Sequence, residues 1–372
     1  MATTRTDIRQ LTGLSRTAVA ARVADLARHG LVVERQEGPS TGGRPPTLLA
    51  FNEDAGVVVA AAIGRSRTHL AVCNLAGRVL AVTDIDEHVG VGPDQLMPQL
   101  AKRLDALVTD AGRRSSAVLG VGLSLPGTVD QQRGCSLDSP VMNGWDGVPL
   151  APYFRDLTAA PVLVDNDANA MALAERHGEY RGMDDLLLLK ISTGLGAGII
   201  CGGELQRGAV GAAGEFGHNK TVAAQGLTCR CGDTACLETI AAGWALVREL
   251  RRQGHDVSHL RDVVELANHG EAEARRLIRE SGRHVGEAVA PLVNLLNPAV
   301  VVVGGDMTGA YDLLVAGLRE ALYGNASALA TRTLQVVPAT HGERSSVIGS
   351  AALILDTILH TDAIDAALQA GR

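Results

Sequence analysis

Six side chains able to hold a metal or a polyol crowd into the Gly-rich stretch between Gly208 and Glu238: Glu215, His218, Cys229, Cys231, Cys236 and Glu238. Three cysteines and a histidine make a four-ligand set of the kind tetrahedral Zn²⁺ takes, soft thiolates plus one imidazole. Cys229 and Cys231 flank a single residue, too tight for an unstrained disulfide, whereas both thiolates can face one metal. Gly232 and Asp233 let the chain double back and deliver Cys236. With four protein ligands no position stays open for a reacting water, so the set predicts a structural ion. Glu215 lies three residues before His218 and Glu238 two after Cys236. A knot that fixes this backbone also fixes carboxylates able to accept hydrogen bonds from the hydroxyls of a polyol or sugar. Two solvated surface glutamates are the alternative.

A second set of polar groups follows the apolar run Val162-Leu-Val, which delivers Asn166 and Asp167 ahead of an Ala-rich helical stretch. A carboxylate at a strand's end in a cleft is where a general base would sit. Capping the following helix is the competing use. Asn143, in Asn143-Gly-Trp145, suits a hydroxyl partner and a turn residue equally. The run Gly194-Leu-Gly196-Ala-Gly198 could bring backbone N–H groups to a phosphate, or simply let a turn pack closely.

These groups need elements to hold them. At 372 residues the chain is too long for one core and predicts two or three domains. No apolar run approaches the ~18 residues of a membrane span and the N-terminus has no leader pattern, so a cytoplasmic protein is expected. Cys73, Cys135 and Cys201 are too scattered for a disulfide framework. Net charge is −7, yet residues 1–50 hold seven arginines against four acids. A basic end on an acidic body points to a nucleic-acid contact. There, Thr4 and Asp7 have capping-box form, and a helix from Arg5 should stop at Thr12-Gly13. Ser15 then caps a second helix to about His29, with Leu14 stapled on Val19. Val19, Val23 and Leu26 form its buried stripe, leaving Ser15, Arg16, Thr17, Ala20 and Arg22 outward. Leu31–Val33 and Thr47–Phe51 read as strands around a turn-rich tip that carries Arg44. Helix, Gly turn, helix and hairpin make a winged helix-turn-helix, with a helical cap on an enzyme as the alternative.

From Ala55 onward, short apolar runs alternate with helical periodicity, an α/β pattern. Strands are expected at 56–63, 68–74, 79–83, 118–124, 162–165, 186–192 and 300–303, with a last helix from Ile348. No internal repeat stands out.

Glu215-Phe-Gly-His218 followed by Cys229-x-Cys231-Gly-x-x-x-Cys236-x-Glu238 resembles the signature of the ROK family (repressors, open reading frames and sugar kinases). Leu11–Val19 with Gly42-Gly-Arg-Pro-Pro46 is similar to the winged segment of its repressors, and the resemblance spans the whole chain. It implies an α/β fold: a winged helix-turn-helix over 1–52, then a two-lobed actin-like ATPase body of sugar-kinase type. One lobe would take 53–160 plus 348–372, the other 161–347 with the metal loop. The helix that normally precedes the winged pair is missing, so either translation starts upstream or the body or a dimer partner supplies its cover. The resemblance further implies sugar contacts from Asn143, Asn166, Asp167, Glu215, His218 and Glu238, and DNA contacts from the helix opening at Ser15 and from Arg44. Family kinases open their phosphate turn with Asp-x-Gly-x-Thr; here those positions are Ala62, Gly64 and Ser66. The expectation is a sugar-responsive repressor without kinase activity, holding structural Zn²⁺ and bound to an inverted-repeat operator as a homodimer or homotetramer. A cytoplasmic ATP-dependent sugar kinase, in which Asp167 is the base, is the alternative, and a sugar-dependent protein-binding module a third.

Overall fold

Thr4 opens the first helix, Arg5–Thr12, by the expected capping box with Asp7, and Gly13 closes it at φ 69°. The computed structural model describes residues 3–35, 47–65, 67–87, 89–137 and 142–370. Ser15 caps the second helix, Arg16–Arg28, by accepting from the Ala18 N–H. Strands Val32–Arg35 and Leu48–Phe51 pair antiparallel behind the two helices. The hairpin tip with Arg44, and Ser66, lie outside the described residues.

Val19, Val23 and Leu49 form a small buried cluster against Ile8 and Val32. Thr3 bridges Leu49 and adds an extended edge. Thus Val19 and Val23 are buried within this segment. Among the described residues of this segment Leu11 is 84%, Leu14 45% and Phe51 42% exposed, so Leu14 forms no staple. Leu26 is only half-buried, and Asp25 takes the buried position next to it.

Continuous Val/Ala/Leu runs then build two five-stranded sheets. The first runs Val79–Ile85, Thr68–Asn74, Val57–Ile63, Val118–Leu125, Val162–Asn166, with two antiparallel pairings followed by two parallel ones. The second runs Glu204–Leu205, Leu195–Cys201, Leu186–Ile191, Val300–Gly304, Gln335–Pro338 with the same sequence of pairings. The duplication that the sequence hides is plain in this order. Because Val162–Asn166 hydrogen-bonds to Val118–Leu125, the first sheet crosses the division drawn at residue 161.

The last expected helix begins three residues earlier than read, at Ser345, and a further helix, Thr361–Ala370, follows it. Helix Ser345–Ile358 lies on the first sheet and against helix Asp167–His177 so closely that a Cβ on Gly349 would sit 1.6 Å from the Ala170 carbonyl oxygen. Val58, Ala60 and Ala71 of the sheet pack on its Val347, Ala351 and Ile354. Helix Asp167–His177 in turn packs on the second sheet through Ala168, Met171 and Ala172. These two helices, packed on each other, join the sheets, and Asp167, Met171 and Ser346 from them line the space between. Among the described residues no single helix is long and apolar enough to cross a membrane.

Candidate functional site

The space between the sheets is a cleft of about 570 Å³, and most of the expected polar groups face it. On one wall the Gly208–Glu238 loop is folded by its own backbone. Cys229 N–H donates to Asp233 O (2.7 Å), Thr221 N–H to Ala235 O and Leu237 N–H to Asn219 O (both 2.9 Å). This doubling-back gathers His218, Cys229, Cys231 and Cys236, with one ligand atom of each within 4.8 Å of all the others. A tetrahedral ion with Zn–S bonds of about 2.3 Å would place sulfurs about 3.8 Å apart. The Cys231–Cys236 Sγ pair and the Cys229 Sγ–His218 Nδ1 pair are each separated by 3.8 Å. The donor set is therefore compatible with a closed structural metal site. Lys220 Nζ approaches Cys236 Sγ at 3.3 Å, a cation beside a ligand set rich in negative charge.

Ala235 stands at φ 61° at the tip of this fold, one of two non-glycine residues with positive φ among those described. An L-residue there costs roughly 1–2 kcal/mol. Ala235→Gly removes that strain but adds unfolded-state freedom of about 0.4–1 kcal/mol. The expected net gain is about 0.5–1 kcal/mol, read as slower metal release to a chelator; faster release would refute it.

His218 turns Nδ1 to the thiolates and Nε2 to Glu215, 3.8 Å away, so one imidazole faces both metal loop and cleft. Burial raises the Glu215 carboxyl above its ordinary pKa, opposed by the charge of His218. Glu238 is buried and fixed twice, accepting from the Leu195 N–H (2.7 Å) and the Trp244 indole N–H (3.2 Å). Neither glutamate is a free surface side chain.

Opposite them, Asn166 is the cap: its Oδ1 accepts from Ala168 and Asn169 N–H, and its Nδ2 donates to Gly127 O. Asp167 is thereby freed from capping and points into the cleft, where its carboxylate accepts from Lys190 Nζ. Asp165 beneath is saturated by Arg207, Gln131 and Asn169 and anchors the strand end. Asn143 is exposed in the turn before Gly144 and does not line the cleft. The run Gly194–Gly198 is a close-packed strand start: a Cβ on Gly194 would meet Glu238 Oε1 at 2.7 Å, and one on Gly198 the Ala168 carbonyl at 2.5 Å. Of the altered phosphate turn, Ala62, Gly64, Arg65 and Arg67 line the cleft, with Arg67 Nε bonded to Asp86 at 2.8 Å.

Lys190, Arg230, Trp244 and Arg248 escaped the sequence reading. Lys190 is the lone charge in the apolar strand Leu186–Ile191, a signal that could have been followed. Arg230 sits between two thiolates of the loop, and its guanidinium stacks over Trp244 at 4.5 Å, with Arg248 also against that ring at 4.9 Å. Nothing in sequence marks Trp244 as their partner.

The model of the ROK family matches residues 58–357. This chain belongs to the ROK family. The xylose repressor of Caldicellulosiruptor bescii is 31% identical over 369 residues, covering 95% of this chain and 92% of that protein. A solved ROK family transcriptional regulator, a homolog of the E. coli MLC protein, aligns at TM-score 0.81 and 26% identity over 98% of this chain and 94% of its own. A ROK family glucokinase from Streptomyces griseus, solved with glucose and AMPPNP, aligns at TM-score 0.67 and 30% identity, covering 99% of itself but 80% of this chain. ROK regulators thus match nearly the full length, whereas that kinase leaves a fifth of it unmatched.

The DNA-contact candidates other than Arg44, which lies outside the described residues, belong to the N-terminal segment. Ser15, Arg16, Thr17, Ala20 and Arg22 are all exposed, from the cap to the middle of helix Arg16–Arg28. Arg22 differs from the others: its Nη1 lies 3.2 Å from Asp365 on the last helix.

Proposed function

We propose that this protein is a sugar-responsive transcriptional regulator, acting as a repressor, that binds an inverted-repeat operator through residues 1–52 as a homodimer or homotetramer. The carrying observation is the capped helix pair with an exposed N-terminal face, Ser15, Arg16, Thr17, Ala20 and Arg22, joined to a ROK body. In this reading those residues enter the major groove and Arg44 approaches the minor groove. One module makes few contacts, so a symmetric assembly is required for tight binding. Asp167, Glu215, His218 and Glu238 accept or donate to sugar hydroxyls, with Asn166 shaping the wall. His218, Cys229, Cys231 and Cys236 hold Zn²⁺, which supplies no reaction chemistry and only locks the loop.

Coupling follows the helices. Residues Glu343 and Ser346 line the cleft at the start of helix Ser345–Ile358, and the helix after it carries Asp365 to Arg22. Sugar that shifts the lobes can therefore act on the DNA-binding face through one continuous connection, and the two ligands oppose each other by a coupling free energy. The test is operator selection from a random-sequence DNA pool, followed by titration with a panel of sugars. Selection of a palindromic site released by one sugar is expected. Arg16→Ala should lower operator affinity about tenfold with sugar affinity retained. Failure to select any DNA while the protein phosphorylates a sugar would establish the kinase reading instead.

A further inference from the structure

Both oxygens of Glu238 are held by donors that lie outside the metal loop. Oε1 accepts from the Leu195 N–H at 2.7 Å and Oε2 from the Trp244 Nε1–H at 3.2 Å. Only a carboxylate can accept at both ends; an amide would turn its NH₂ onto one of the two donors. Trp244 is itself anchored at the start of helix Gly243–Arg252. There the Gly243 and Trp244 N–H groups donate to Ser192 O (2.9 Å) and Thr193 O (3.1 Å). These carbonyls belong to the same turn that supplies the Leu195 N–H, so carboxylate, turn and helix start fix one another. One helical turn on, Arg248 sets its guanidinium 4.9 Å from the indole centroid and donates Nη2 to Thr239 O at 2.8 Å. Trp244 is only 9% exposed, so little of its ring is left for a sugar to lie on. Its N–H is its contribution to the cleft. An ionised carboxylate has about four acceptor sites. Two are taken here, and the direction of the others is set by the same pair of donors.

We infer that Trp244 is a positioning residue for sugar recognition: its indole N–H fixes the rotation of the Glu238 carboxylate, so that the free acceptor sites meet one particular hydroxyl. This rests on the sugar-binding reading above and deepens it with a specificity-determining residue outside the Glu215–Glu238 motif. A carboxylate held at one oxygen turns easily about its last side-chain bond, whose torsion is broad. It then offers its lone pairs to hydroxyls in several places. Held at both oxygens it discriminates, because a ligand without the matching hydroxyl leaves a buried acceptor unpaired. Glu238 is itself buried, which makes that mismatch costly.

The test is calorimetric titration of the full chain with a panel of aldopentoses and aldohexoses, then with every monodeoxy derivative of the tightest binder. The affinity lost with each derivative measures what that hydroxyl contributes. Glu238→Gln is expected to weaken the parent sugar about tenfold and to erase the loss at one hydroxyl. Trp244→Phe keeps an aromatic ring against Arg248 but has no N–H, and should erase the loss at that same hydroxyl and no other. Benzothienylalanine incorporated at position 244 has the shape of tryptophan without its N–H. It should repeat the result even where the smaller phenyl ring disturbs packing. In the double variant the two losses should not add. An unchanged profile in Trp244→Phe and in the benzothienyl protein overturns the inference, and so does a weakening of all derivatives alike, which marks a packing role. A further loss in the double variant overturns it too, by placing the indole on the sugar itself. Zinc content is followed throughout, since Arg230 also stacks on this ring. Affinity that falls only as metal is lost puts the effect in the loop and overturns the inference, while the sugar reading stands. A wild type that binds no member of the panel removes both.

Discussion

Cys231→Ser purified without chelator should contain almost no zinc and should bind sugar at least about a hundredfold more weakly than the wild type. Cys231 is the exposed member of the four, so serine there removes a thiolate without opening a cavity in either core. Apparent zinc-binding free energies in small sites are about 10–16 kcal/mol and are spent on ordering the ligating loop. Losing one ligand therefore frees the segment that carries Glu215, His218 and Arg230. Glu238 stays in place, because Leu195 N–H and Trp244 hold it without the metal. The variant should remain folded by circular dichroism while losing its ligand. Cys201, on a strand away from the loop, supplies the control: Cys201→Ser should keep both metal and sugar. Metal analysis finding a full zinc complement in Cys231→Ser, with unaltered sugar affinity, would falsify the structural-metal reading.

What was legible in the sequence is what short range decides. The capping box of Thr4 and Asp7, the left-handed Gly13 and the Ser15 cap each involve residues within four positions, and all three occur as read. The thiolate loop was readable for the same reason, its four ligands lying within nineteen residues of chain. The body's strands were found from apolar runs, but their pairing order was not, since sheet order is set by contacts between distant segments. The matching order of the two sheets left no repeat in sequence because only burial has to be preserved, and Val, Leu and Ala satisfy it interchangeably. The same distance hid the partnership of Asp167 with Lys190, twenty-three residues apart, and that of Arg207 with Asp165, forty-two apart. Asn143 shows the reverse failure. Its residue type suited a site and a turn equally, and the structure places it in the turn.

Asp167→Asn should bind its operator as the wild type does and stay there whatever sugar is added. The side chain keeps its shape but loses the charge that makes it a strong acceptor. Hydrogen bonds to a charged group contribute about 1.5–3 kcal/mol each, so replacing one or two lowers sugar affinity on the order of a hundredfold. Lys190 is then left without its carboxylate, but its side chain is 23% exposed and can turn toward water, so the fold should survive. Lys190→Ala separates the two effects: it leaves Asp167 charged and free, and sugar-induced release should persist. Turnover is the sharper comparison. In the wild type the Lys190 ammonium occupies the carboxylate that would take a proton, and Ala62 offers nothing to a metal on the phosphate side. Phosphoryl transfer depends on in-line placement and charge neutralisation, so freeing the base in Lys190→Ala should not create a kinase. With ATP, Mg²⁺ and the best-binding sugar, both proteins are expected to stay far below the roughly 1–100 s⁻¹ of ordinary kinases. Wild-type turnover in that range would show that Ala62 and Lys190 leave catalysis intact, and the repressor reading would have to yield to an enzyme.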